Sequence, residues 1–135
     1  MKNIASQLRA LQFVSHAGHN LVKGRTFAQD HEELGELYPQ YESQYDETVE
    51  YMIGLGESVS PLDLTSEGLD TAKNEGESSD SEEVFAALLR MEIVLKMEIS
   101  QYLDYEKRSD GVQNYLQGLA EKSDKRCYRL QQFLN

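Results

Sequence analysis

Two histidines, His19 and His31, stand twelve residues apart on either side of Gly24 in the run HNLVKGRTFAQDH. Imidazole nitrogen is a common ligand for iron and similar divalent metals. A bend at Gly24 folds the segment back, so an antiparallel hairpin can bring the two rings face to face. Farther along, Asp46 and Glu50 in DETVE are four residues apart, one helical turn, and point the same way. Carboxylate oxygens suit a harder, ferric ion. Taken alone, each pair is also compatible with a solvated helix face. Together they offer two nitrogens and two oxygens, a mixed donor set for iron.

The two pairs do not meet within one chain. His31 and Asp46 are 15 residues apart on one predicted helix, about 22 Å at 1.5 Å per residue if the helix is straight. A two-fold axis between two copies solves this, because each copy then lends its histidines to the other's carboxylates and two sites form per dimer. His16, Glu32 and Glu36 are lesser candidates as further ligands.

These residues need long helices to position them. Ile4, Leu8, Leu11, Val14 and Leu21 recur at helical spacing, giving a first helix over about 3–23 that closes on Gly24 in a left-handed turn. TFAQ reads as a capping box, with Thr26 as N-cap and Gln29 reaching back, and opens a second helix over about 27–55. Pro39 inside it removes a backbone hydrogen bond and clashes with the carbonyl of Gly35, which predicts a kink or break near 35–39. Residues 57–80 form a crossover, with a short helix from Pro61 to about residue 70 capped by Ser60. A third helix covers about 81–108. Its wide apolar stripe, Val84 to Leu103, exceeds what one core can bury and implies a subunit interface. SDGVQ caps a fourth helix over about 111–134, with Val112, Leu116, Leu119, Cys127, Leu130 and Leu134 inward. No strand pattern competes. The expected architecture is one all-α domain over 1–135: a four-helix bundle with a short extra helix in the long crossover between helices 2 and 3.

Composition narrows the function classes. The 135 residues carry a formal net charge of −11. That serves solubility, suits drawing in cations, and disfavours nucleic acid or an anionic membrane as partner. No apolar run resembles a signal peptide or a membrane span. The single cysteine, Cys127, has no internal disulfide partner and sits in an apolar helical pattern, which points to a core residue in a reducing compartment, the cytoplasm. Glu-x-x-His pairs are absent, and HEELG lacks the second histidine of a zinc-protease motif.

The spacing of His19, His31, Asp46 and Glu50 as a whole resembles that of the Dps family of mini-ferritins. In the family a histidine is followed after 12 residues by a second, after 15 by an aspartate and after 4 by a glutamate. HNLVKGRTFAQDH is similar to the family's run of histidine, Gly-containing turn, aromatic and histidine. YMIGLGESVSP resembles its helix end and crossover entry, and LQQFL its C-terminus. The likeness covers nearly the whole chain. It implies a ferritin-like four-helix bundle, a dodecameric shell, and a ferroxidase site shared between two subunits, with His19, His31, Asp46 and Glu50 binding Fe²⁺ for oxidation by peroxide or dioxygen. Several positions depart from the family pattern. Gly35 stands where the family usually has an acidic residue, so that ligand is either missing or supplied by Glu32 or Glu36. Asn20 replaces a tryptophan, Asn114 and Gly118 replace the aspartates of the iron pore, and Pro39 is atypical. The lysine-rich tail that some members use on DNA is not found, so DNA binding is not expected. These departures leave a second possibility: a non-catalytic metal-binding or structural oligomer on the same fold.

Overall fold

Apolar residues spaced three and four apart can be buried only on one stripe of a helix, and five such stripes converge here. The computed structural model describes residues 1–105 and 107–134. The chain forms α1 (Lys2–Leu21), α2 (Phe27–Gly54), α3 (Pro61–Glu75), α4 (Ser81–Tyr105) and α5 (Asp110–Leu134), with no strand among the described residues. The fold is all-α. α1 is central, packing against α2, α3 and α4, while α5 lies against α4. Leu8, Leu11, Leu34, Met52, Leu88, Leu95, Ile99 and Leu116 are fully buried between them, each worth roughly 1.5–3 kcal/mol of transfer free energy. Among the described residues no helix is long and apolar enough to cross a membrane.

Helix ends differ from expectation, each for a local reason. α1 stops at Leu21, not near Gly24. Val22 leaves the helix in an extended conformation with its side chain buried, and Lys23 donates its backbone N–H to the Ser79 carbonyl at 3.2 Å. Gly24 still supplies a positive φ, 113°, inside the following turn, a conformation that costs glycine little. The capping box at Thr26 does not form. The Thr26 hydroxyl donates to the Asp30 carboxylate at 2.6 Å and accepts no backbone N–H; its backbone, at φ −102° and ψ 21°, is outside the extended conformation that aims an N-cap side chain at the first turn. α3 runs five residues past the expected end, to Glu75, since nothing breaks it before Gly76 at φ 84°. Its start is as the sequence indicates: the Ser60 hydroxyl accepts from the Asp63 N–H, and Pro61 is the first helical residue. α4 ends at Tyr105, short of residue 108; Glu106 lies outside the described residues and 107–109 are not helical. Ser109 is needed there as a cap, its hydroxyl accepting from the Val112 N–H at 3.2 Å.

α2 carries the largest surprise. It continues through Pro39 without a break. The cost of a proline in a helix interior is about 3 kcal/mol, yet Leu34, Leu37, Tyr41 and Tyr45, on both sides of it, are all buried. Their combined burial exceeds that cost several-fold. Pro39 itself faces solvent.

Candidate metal centre

The hairpin between α1 and α2 sets the two histidines ring to ring. His19 is in the last turn of α1 and His31 in the second turn of α2. Their ring centroids are 3.7 Å apart, with planes inclined by 18°. The backbone locks this stack reciprocally. His19 Nδ1 lies 2.8 Å from the His31 carbonyl oxygen, and His31 Nδ1 lies 2.7 Å from the His19 carbonyl oxygen. A carbonyl only accepts, so each Nδ1 is the N–H donor, and in the neutral ring each Nε2 keeps its lone pair. That arrangement of a metal-binding histidine, one nitrogen tied to a carbonyl and the other free, fixes tautomer and ring orientation together. The His19 carbonyl is one of the unpaired acceptors at a helix C-terminus, so the bond also helps cap α1.

Neighbours hold the pair in place. The Phe27 ring stands edge-on to His31 with centroids 4.9 Å apart. Gly35 lies under His19: a Cβ there would come within 3.0 Å of His19 Cε1 and 3.1 Å of Nδ1. The lack of a side chain at residue 35 thus makes room for the first histidine.

The other candidates fall elsewhere. The His16 ring stacks flat on Tyr38, centroids 4.0 Å apart, and its centroid is 6.4 Å from that of His19. Glu32 and Glu36 are exposed. Between them Glu33 is buried and makes a two-pronged ion pair with Arg129, at 2.9 and 2.6 Å. Among the described residues, no three or more His, Cys, Asp or Glu side chains of one chain come together as a metal site. Neither Glu32 nor Glu36 therefore completes the histidine pair.

Asp46 and Glu50 are exposed, one turn apart on α2. The structure does not bring them to His31 within the chain; 15 residues of unbroken helix separate Asp46 from it, about 22 Å. Glu50 borders a cleft of about 520 Å³ between the C-terminal part of α2 and the start of α5. There the Tyr51 and Tyr115 rings stack, centroids 4.4 Å apart. The Tyr115 hydroxyl sits 2.7 Å from the Thr48 hydroxyl and donates to the Gln44 carbonyl at 3.1 Å. Burial foremost, then the nearby Glu47 charge, pushes this phenol up to about 12.

A second polar group lies in the core, and the inward-facing residues expected from the sequence did not include it. The Glu92 carboxylate accepts two parallel bonds from the Arg126 guanidinium, at 2.9 Å each, and one from the Ser123 hydroxyl at 3.3 Å. Both charged side chains are almost fully buried. The Arg126 guanidinium also lies over the Tyr41 ring, 4.7 Å from its centroid. Burial works to lower the Arg126 pKa and to raise that of Glu92, but the bonds and charge of the carboxylate more than offset the first effect and keep the guanidinium charged. No protein-family model, curated protein or solved structure matches the chain.

Proposed function

We propose that this chain is a Dps-like mini-ferritin, a ferritin-like four-helix bundle with α3 in its crossover, that binds Fe²⁺ and oxidises it. The iron is substrate and cargo. His19 and His31 of one subunit and Asp46 and Glu50 of its neighbour bind it at the two-fold interface, and peroxide or dioxygen takes the electrons. The observation that carries this reading is the reciprocal lock of the two histidines, which leaves both Nε2 lone pairs available. Twelve copies around a hollow centre would collect the ferric product, and the charge of −11 per chain favours cations and disfavours DNA. The buried, unpaired Cys127 suits a reducing compartment such as the cytoplasm.

Complementation tests the shared site. His31→Ala and Asp46→Ala each remove one half-site and leave the apolar core untouched, so each is expected to lose rapid Fe²⁺ oxidation with the oligomer intact. Mixing the two variants after subunit exchange restores part of the rate, because a hybrid pair regains one complete site. Exchange without recovery of activity would rule out a site built from two chains. The second reading, a shell that holds metal without turnover, is favoured by one observation: Gly35 provides no side-chain ligand. It predicts metal binding by calorimetry with no growth of ferric absorbance.

A further inference from the structure

We infer that Phe27 of a second copy seats in the cleft beside Glu50 and anchors the two-chain contact. This deepens the shared-site reading above and rests on it for the pairing of helices. If His31 of one chain meets Asp46 and Glu50 of another, it lies opposite a point near residue 48. Two-fold symmetry then runs the two α2 helices antiparallel, with opposed residue numbers adding to a constant, about 79. Phe27 consequently opposes about residue 52, between Glu50 and Gly54.

The surfaces there are complementary. Phe27, His31, Gly35 and Pro39 form one row at four-residue spacing along α2, and Asp46, Glu50 and Gly54 form a neighbouring row. Rows of this kind from two helices interdigitate when the helices cross, which lays the first against the second. Phe27 begins its row as an exposed aromatic, 39% accessible. Gly54 ends the other with open space, since a Cβ there would meet nothing within 4 Å. Beyond Gly54 the cleft has an aromatic floor, the Tyr51–Tyr115 stack, and apolar walls from Leu55 and Val112. An aromatic side chain entering an apolar pocket at an interface is the usual form of a binding hot spot. Seating Phe27 there also covers one flank of the Glu50 carboxylate, so assembly and closure of the site become one event.

The test uses a disulfide that only two chains can make. Positions 27 and 54 are 27 residues apart on one helix, about 40 Å, whereas bridged Cα atoms lie within about 7 Å. In a Cys127→Ser background, the pair Phe27→Cys and Gly54→Cys is expected to give covalently linked chains on mild oxidation, seen on a non-reducing gel. Neither single variant links to itself, but the two mixed together do. Phe27→Ala, and Gly54→Leu, which fills the cleft from within, each weaken chain association about tenfold or more, while Phe27→Leu retains most of it. An oligomeric native chain whose cysteine pair never links, or whose affinity is unchanged by both Phe27→Ala and Gly54→Leu, overturns the inference. A monomeric native chain overturns it as well. The iron reading fails separately: if the mixed His31→Ala and Asp46→Ala variants recover oxidation but no 27–54 link forms, only the docking is wrong. If the link forms and the mixture stays inert, only the chemistry is.

Discussion

Gly35 decides how closely α2 can approach the first histidine, and this gives a prediction in which activity and stability move oppositely. In Gly35→Ala the new methyl would sit 3.0 Å from His19 Cε1, so the ring must give by a few tenths of an ångström, which strains its bond to the His31 carbonyl. Disturbing the group that orients a metal-binding histidine costs roughly 10–100-fold in affinity or activity. We expect Fe²⁺ oxidation to slow about tenfold. Helix propensity meanwhile favours alanine by up to about 1 kcal/mol, so the melting temperature holds or rises. Stopped-flow absorbance and calorimetry on one preparation read both. Tyr115 gives the second prediction at this scale. Its phenol is pushed up from 10.0 to about 12 by burial. The folded chain therefore keeps this proton to higher pH than the unfolded chain. The contribution to stability is complete below pH 10 and is lost as pH rises through about 12. Burial also pushes Tyr41 well up, with the same sign. Tyr115→Phe should forfeit about 1 kcal/mol at neutral pH, for its bond to Thr48, and lose stability less steeply above pH 10. Urea unfolding at neutral and alkaline pH compares the slopes. The four ligand candidates were legible as residue types and intervals. Their local partners were not, because the bonds that hold His19 and His31 go to main-chain carbonyls, which every residue carries.

The helices show the same division between what pattern reveals and what it hides. Apolar periodicity gave the long helices and most of their inner faces, since that signal repeats over five turns or more; Leu21 and Val94, in the expected stripes, are exposed. The ends were less legible, because each depends on one or two contacts. Thr26 finds a carboxylate, Val22 finds a pocket, and Ser109 is needed as a cap. At Pro39 tertiary packing keeps the helix from breaking. The core ion pair between α4 and α5 was partly readable. Leu88, Glu92, Leu95 and Ile99 occupy one helical row, as do Leu116, Leu119, Ser123, Arg126 and Leu130, and each row carries one charge. Opposite charges at core positions of two helices announce a buried pair. Its energetics are asymmetric. Arg126→Met leaves the Glu92 carboxylate buried without its partner and should destabilise by about 3–5 kcal/mol, a large part of a domain's typical 5–15. Replacing both, Glu92→Leu with Arg126→Met, should recover most of that loss. Thermal unfolding of the two variants side by side checks the order, and a double variant no better than the single would show that the pair is more than a mutual neutralisation.

For the whole molecule, the exposed apolar residues make assembly the expected state. Ile93, Val94 and Met97 stand out of α4, 42–55% accessible; of the three, only Val94 belongs to the wide stripe read from the sequence. On α3, Leu62 is 83% and Leu69 42% accessible. Patches of this kind mark interfaces. Light scattering behind a sizing column should therefore give a mass well above the 15.4 kDa of one chain, and twelve-fold for a closed shell. A mass that stays at one chain at high concentration would remove both the shell and the shared site. A dimer alone would keep the oxidation chemistry and exclude mineral storage. The continuity of α2 has a bearing on how such a chain can vary. One unbroken helix joins His31 to Asp46 and Glu50, so it sets their angular phase as well as their spacing. A single residue inserted between them would turn the carboxylates by about 100° and slide them 1.5 Å, off the row that the proposed site sets against a partner. Seven inserted residues, close to two full turns, would restore the phase but move each carboxylate about 10 Å from its opposite number. In the proposed two-chain site, length changes can accumulate at residues 76–80, where no such phase is kept, but not in α2, where the interval of 15 residues is as much a part of the site as the side chains at its ends.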